Sequence, residues 1–322
     1  MANTDTADIH PAAPRYATAS DYINLMKPRI MMLVVFTAFA GLVAAQGITG
    51  VLMNPVMAGI ATLAVALGSG AAGAINMWYD ADIDAVMKRT STRPIPSGAV
   101  PRDEALAMGL IMSGVSVLMM WLASNALAAL LLAASIAYYG WFYTMLLKRR
   151  TPQNIVIGGG AGAFPPVIGW AAVTGNAPLD AWILFAIIFF WTPPHFWALS
   201  LLAHGEYAKA NVPMLPVTHG AKATRNQILG YSVLLAVLGL APVVTGLGGA
   251  VYGISAVLLG GAFLWLAVGV WSSRAGDQDA PPEDLKKAKG LFAFSILYLF
   301  VLFGVLIVEH GLGAFVAVPG VA

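Results

Sequence analysis

The sequence predicts an all-α, polytopic membrane protein with nine transmembrane helices, and three observations carry that prediction. Of its 322 residues, 59% are hydrophobic and only 10% charged, against about 25% charged in a soluble domain. So few charges cannot cover the surface of a soluble protein of this size. Nine continuous apolar stretches, at 29–46, 53–76, 105–122, 125–147, 154–174, 179–202, 227–247, 250–272 and 290–309, approach the roughly 20 residues a helix needs to cross about 30 Å of hydrocarbon. Finally, all 17 Lys and Arg residues fall on one side when nine spans alternate across a bilayer.

Taken in order, the N-terminal arm carries Arg15, Lys27 and Arg29 before span 1, and the loop after span 2 carries Lys88, Arg89, Arg93 and Arg102. Lys148, Arg149 and Arg150 follow span 4; Lys209, Lys222 and Arg225 follow span 6; Arg274, Lys286, Lys287 and Lys289 follow span 8. The opposite loops carry none. The positive-inside rule then places the N-terminus in the cytoplasm and the C-terminus outside. The runs are continuous and rich in Leu, Ala and Met, which excludes the alternating strands of a membrane barrel.

Residues 1–20 lack a hydrophobic run, so they read as a disordered cytoplasmic tail without a cleavable signal. Residues 21–322 form a single transmembrane domain with a weak tandem repeat of four-helix units, about 25–147 and 148–272, plus a ninth helix. Lys27 and Lys148 lie 121 residues apart, and Asp84 and Glu206 lie 122 apart. With no cysteine in the chain, disulfide scaffolds, thiolate metal sites and a cysteine nucleophile are excluded. A net charge of only +2 argues against nucleic acid as a partner.

The polar residues gather at the cytoplasmic side, most densely in NMWYDADIDAVMKRTSTRPIPSG, residues 76–98. Asn76, Asp80 and Asp84 recur every four residues, which on a helix stacks three oxygen-bearing side chains on one face about 6 Å apart. Lys88 continues that row, and Asp82 points elsewhere. Two carboxylates and an amide make a hard, oxygen-only ligand set of the kind Mg²⁺ shares with substrate phosphates. Arg89 and Arg93 follow, with guanidinium forks suited to phosphate. Charge runs at helix ends are usually only solvated, but a solvated loop has no need of a carboxylate period joined to an asparagine inside the apolar span.

A second cluster is WTPPHFWALSLLAHGEYAKANVPMLPV, residues 191–217. Tandem prolines before His195 can open the helix locally, turning that imidazole towards a cavity as a haem ligand or proton carrier, or leaving it a hydrogen-bonded core histidine. Glu206, the acid beside Tyr207, offers one carboxylate to a second metal ion. The third cluster sets Lys148, Arg149 and Arg150 as a cationic rim before span 5. The glycines at 158–160 and 162 there suit close helix packing rather than phosphate binding.

These strings resemble the UbiA-type intramembrane prenyltransferases. Asn76-x₃-Asp80-x₃-Asp84 with Arg89-Thr90-x₂-Arg93-Pro94 is similar to the family's first aspartate-rich motif. Together with KRRTPQNIVIGGGAGAFPPVIGW, WTPPHFWALSL and EYAKANVPMLPVTHG, it resembles the family's haem-farnesylating branch from about Asp21 to the last span. The resemblance implies a UbiA-type bundle in the cell inner membrane. It implies transfer of a farnesyl group from farnesyl diphosphate to a vinyl group of haem B, with addition of water, giving haem O and diphosphate.

By resemblance, Asn76, Asp80 and Asp84 bind Mg²⁺–diphosphate, and Lys88, Arg89, Arg93, Lys148 and Arg149 neutralise the leaving group. His195 contacts haem, and Glu206 and Tyr207 bind substrate, Glu206 through metal, water or a basic residue. Glu206 is a departure, because the branch usually has Asp before the Tyr. Haem A synthase or oxidase assembly factors are the implied protein partners. Quinone or chlorophyll-precursor prenyltransferases are disfavoured by the Pro-Pro-His element and the missing second DxxxD. A transporter would carry charges at the bilayer midplane, a CDP-alcohol phosphotransferase would show DGxxAR, and a haem carrier would not need the aspartate row.

Overall fold

The structure is a computed structural model that describes residues 17–318, without the side chain of His204. Sixteen residues of the expected disordered tail lie outside the described residues. The tail's last residues are ordered: α1 (Ala19–Leu25) starts at Ala19 because Thr18 and Asp21 form a reciprocal capping box that satisfies exposed N–H groups of the first turn.

Among the described residues nine helices are long and apolar enough to cross a membrane. The first is α2 (Pro28–Thr49), opened by proline at its first position and closed by the left-handed Gly50, the usual proline-first, glycine-last asymmetry. Next, α3 (Pro55–Tyr79) leads into the short α4 (Ala81–Val86). After α5 (Arg102–Ala123), the fourth span combines α6 (Ala126–Ala137), capped by Asn125, with a ten-residue π-helix, Tyr138–Leu147. Then come α7 (Asn154–Thr174), α8 (Leu179–Leu202), and the short α9 (His204–Lys209) and α10 (Leu215–Thr218). The seventh span is α11 (Gly220–Leu238) with α12 (Ala241–Val244), followed by α13 (Ala250–Trp271) and α14 (Pro282–Gly311).

The seventh span starts seven residues before its expected apolar edge, and the ninth eight residues before. Apolar content marks only the part of a helix inside lipid; Lys222, Arg225 and Lys286–Lys289 ride on helical turns outside it. The expected opening of the helix at Pro193-Pro194 is corrected too. α8 runs unbroken to Leu202, because neighbouring helices in lipid re-satisfy what proline frees.

Buried apolar side chains form a large cluster spanning α2, α7, α8, α11, α13 and α14, and a second one uniting α2, α3, α5, α6 and α7. α2 and α7 belong to both. They cross closely: a Cβ on Gly41 would lie 2.2 Å from the Pro166 carbonyl oxygen, and one on Gly169 2.0 Å from that of Ala38. Gly158, Gly159 and Gly160 also meet neighbours closely, as expected, but Gly162 faces open space. At the far end from the acid cluster, the fully buried Glu309 accepts from the N–H groups of Gly249 (2.8 Å) and Tyr252 (2.9 Å), capping α13 from another helix.

Candidate functional site

The acid cluster sits where α3 bends into α4. Asp80 is the joint between them, with φ −86° and ψ 8°. Asn76, Asp80 and Asp84 are 3%, 0% and 2% exposed, so the expected row of three is buried together. The row does not extend to Lys88. α4 ends at Val86 with an extended Met87, and Lys88 and Arg89 project from the following turns with exposed side chains. Asp82 is exposed, as expected, and pairs with Arg149 at 2.6 Å.

Three cations meet the buried acids, and a fourth meets Asn76. Arg93 pairs with Asp84 at 2.6 Å, Lys148 with Asp80 at 2.5 Å, and Arg149 reaches within 3.6 Å of Asp80. The fourth is Lys27, whose ammonium donates to Asn76 Oδ1 and lies 5.7 Å from the Tyr139 ring centroid. Sequence reasoning left Lys27 among the flanking charges; it is 49 residues from Asn76. The signal in the sequence was its repeat partner: Lys148, 121 residues on, reaches Asp80 as Lys27 reaches Asn76. In the structure Lys27 has φ 54°, a conformation rare for non-glycine residues.

Asp80 Oδ1 is buried without a hydrogen-bond partner among the described residues. A hard oxygen with no hydrogen bond, its nearest cation the Arg149 guanidinium at 3.6 Å, suits a divalent ion bridging to phosphate, so the residues present fit Mg²⁺. No three His, Cys, Asp or Glu side chains gather into a protein-only metal site among the described residues.

Burial first, and then the Arg93 and Lys148 cations, pushes the Lys27 ammonium down to about 7. An unfolded lysine keeps its proton to about 10.4. Between these values the unfolded chain binds more protons, so stability rises with pH across that window. Thermal unfolding of the ligand-free protein in detergent is expected to show this rise, and Lys27→Met to flatten it. A midpoint that falls from pH 7 to 10 contradicts the buried setting of Lys27.

The second cluster lies beside the first. Glu206, half-buried, accepts from the Arg89 backbone N–H at 3.4 Å, and Tyr207 is 7% exposed. His195 is buried between Trp191 (ring centroids 4.3 Å apart) and Phe292 (4.6 Å). Its Nδ1 lies 2.6 Å from Ser295 Oγ, and that hydroxyl donates to the Phe292 carbonyl. The hydroxyl must therefore accept from Nδ1–H, which leaves Nε2 an acceptor. The hydrogen bond fixes the ring at Nδ1 and leaves Nε2 to either expectation for His195.

The UbiA prenyltransferase family model matches residues 34–287. The chain is 74% identical over 299 residues (93% of this chain, 94% of the relative) to the protoheme IX farnesyltransferase of Hyphomonas neptunium. It is 58% identical over 314 residues (95% and 94%) to that of Maricaulis maris. Its fold is similar to a solved digeranylgeranylglyceryl phosphate synthase, with a TM-score of 0.71, 17% identity, and coverage of 90% and 97%. It is also similar to a UbiA homologue from Archaeoglobus fulgidus bound to DMAPP and Mg²⁺, with a TM-score of 0.66, 17% identity, and coverage of 88% and 99%. An acid pair buried among cations at one end of a nine-span helical bundle, in a chain matched over most of its length, has one family reading: this multi-pass membrane protein belongs to the UbiA prenyltransferase family.

Proposed function

We propose that this chain transfers the farnesyl group of farnesyl diphosphate to a vinyl group of haem B, adding water to give haem O and diphosphate. The reaction is placed at the cytoplasmic face of the cell inner membrane. The relatives' names supply donor and acceptor. The observation that carries the chemistry is Asp80, fully buried with one oxygen that accepts no hydrogen bond, beside Asn76 and Asp84 and faced by Lys27, Arg93, Lys148 and Arg149.

Asn76, Asp80 and Asp84 would hold Mg²⁺ against the diphosphate; when bound, it neutralises charge on the leaving oxygens. Arg93, Lys148 and Arg149 are released from their carboxylate partners to take up diphosphate oxygens, a set of fixed cations aimed at charge that grows in the transition state. Lys88 and Arg89, exposed at the rim, guide the diphosphate inward. The C1–O bond of the donor breaks and its electron pair leaves with diphosphate. The haem vinyl group bonds to C1, and the positive charge passes to the vinyl carbon beside the macrocycle. Water adds there and loses a proton. The buried setting keeps bulk water from the allylic cation before the vinyl group reaches it.

His195, with Nε2 free, contacts haem, and Tyr207 and Glu206 close the site from α9. The chain forms one domain of two tandem four-helix units and a ninth helix. The water-insoluble product is handed on within the bilayer, to haem A synthase or an oxidase assembly factor. The test is incubation of purified protein with haem B, farnesyl diphosphate and Mg²⁺, followed by mass spectrometry. The expected product is the farnesylated, hydrated haem, lost with EDTA and restored by Mg²⁺. Intact haem B under all conditions would reject the acceptor.

A further inference from the structure

We infer that Thr144 is a positioning residue that fixes the side-chain amide of Asn76 with its oxygen towards the cation site. The inference rests on the proposed diphosphate site and deepens it. Thr144 is fully buried and lies in the π-helix. Its hydroxyl donates to the Tyr139 carbonyl, five residues back, at 2.7 Å. That uses the only hydrogen it has, so the hydroxyl can offer Asn76 nothing but a lone pair. The Asn76 amide answers with both of its N–H groups: one to Thr144 Oγ1 at 3.0 Å, the other to Asp80 Oδ2 at 2.8 Å. Its Oδ1 is thereby turned outward, where the Lys27 ammonium takes it.

The reversed amide would set Oδ1 against a carboxylate and a hydroxyl with no hydrogen to give, and would present N–H groups to a cation. Asp80 Oδ2 is shared between the amide and the Lys148 ammonium, and a divalent ion would compete for the same carboxylate, whereas the Thr144 lone pair has no other donor among the described residues. The π-helix makes the contact available. Along an ordinary helix at about 100° per residue, Lys148, nine residues after Tyr139, would face away from it. With the wider i→i+5 turn, about 82° per residue, the two return to one face. Thr144, between them, meets Asn76 while Lys148 meets Asp80.

The test uses the full chain purified in detergent, with Mg²⁺ and inorganic pyrophosphate as the probe and calorimetry as the readout. Thr144→Val, equal in shape but without a lone pair, is expected to weaken binding about tenfold, the scale of a lost orienting partner. Thr144→Ser is expected to bind like wild type. In an Asn76→Ala background, adding Thr144→Val is expected to change nothing further. With farnesyl diphosphate as substrate, the Val variant is expected to raise KM more than it lowers kcat. If the Val variant does not fold, Thr144→Ala takes its place with the same expectations. Wild-type binding in the variant that lacks the hydroxyl, or a full additional loss in the Asn76→Ala background, overturns the role of Thr144 and leaves the diphosphate site standing. Wild-type protein that binds no Mg²⁺–pyrophosphate overturns both.

Discussion

Asp80→Asn is expected to lower prenyl transfer by about 10³-fold, on the scale of losing a principal charge stabiliser, while the protein still inserts and elutes as a folded species. Asp80 has no exposure and sits between Asn76, Lys148 and Arg149, so its charge is both the proposed anchor for a divalent ion and the partner of a half-buried ammonium. The amide keeps the shape and one acceptor oxygen, and Lys148 keeps a hydrogen bond. What disappears is the negative charge that holds the metal. Asp80→Ala removes shape as well, stranding the 17%-exposed Lys148 side chain without a partner, a change that costs stability in its own right. Comparing the two separates chemistry from folding: the same loss of product in both, with a lower unfolding temperature only in the alanine variant. Product from Asp80→Asn at a tenth of the wild-type rate or more would remove the acid anchor from the mechanism.

Much of this site was legible in the chain because its signals are local. The basic residues mark alternate loops, and the four-residue period marks the acids; both survive into the structure. What escaped depends on contacts across distance or on broken periodicity. Lys27 joins the site only through a left-handed turn and a contact with Asn76. The π-helix leaves no mark in composition, since Tyr, Gly and Thr are as apolar or polar in either winding. Extending the row to Lys88 failed because the four-residue period was carried past Val86, where α4 ends and Met87 is extended. The tandem prolines misled in the other direction: their cost to a helix in water does not transfer to Pro193 and Pro194, which are buried against neighbouring helices.

The other large effect is expected far from the acids, at the crossing of α2 and α7. Gly169→Ala is expected to destabilise the protein by about 3 kcal/mol, near the top of the usual range for overpacking. The added Cβ would lie 2.0 Å from the Ala38 carbonyl oxygen and 3.0 Å from the Leu42 nitrogen. Both are backbone atoms of α2, so no side chain can rotate away, and the helices must separate. Gly41→Ala strikes the Pro166 carbonyl from the other side at 2.2 Å, and because both changes push the same two helices apart, their effects should not add. The inner end of α2 carries Lys27, and that of α7 follows Lys148 and Arg149 by a short turn. Separation at the crossing therefore also moves cations relative to Asn76 and Asp80, and the surviving folded fraction should show a raised KM for farnesyl diphosphate. Gly162→Ala, on the same helix but facing open space, is the control and should leave both unfolding temperature and KM unchanged. Equal tolerance of alanine at 162 and 169 would mean that the two helices do not cross in backbone contact, and that the site's two cationic walls are held together by something else.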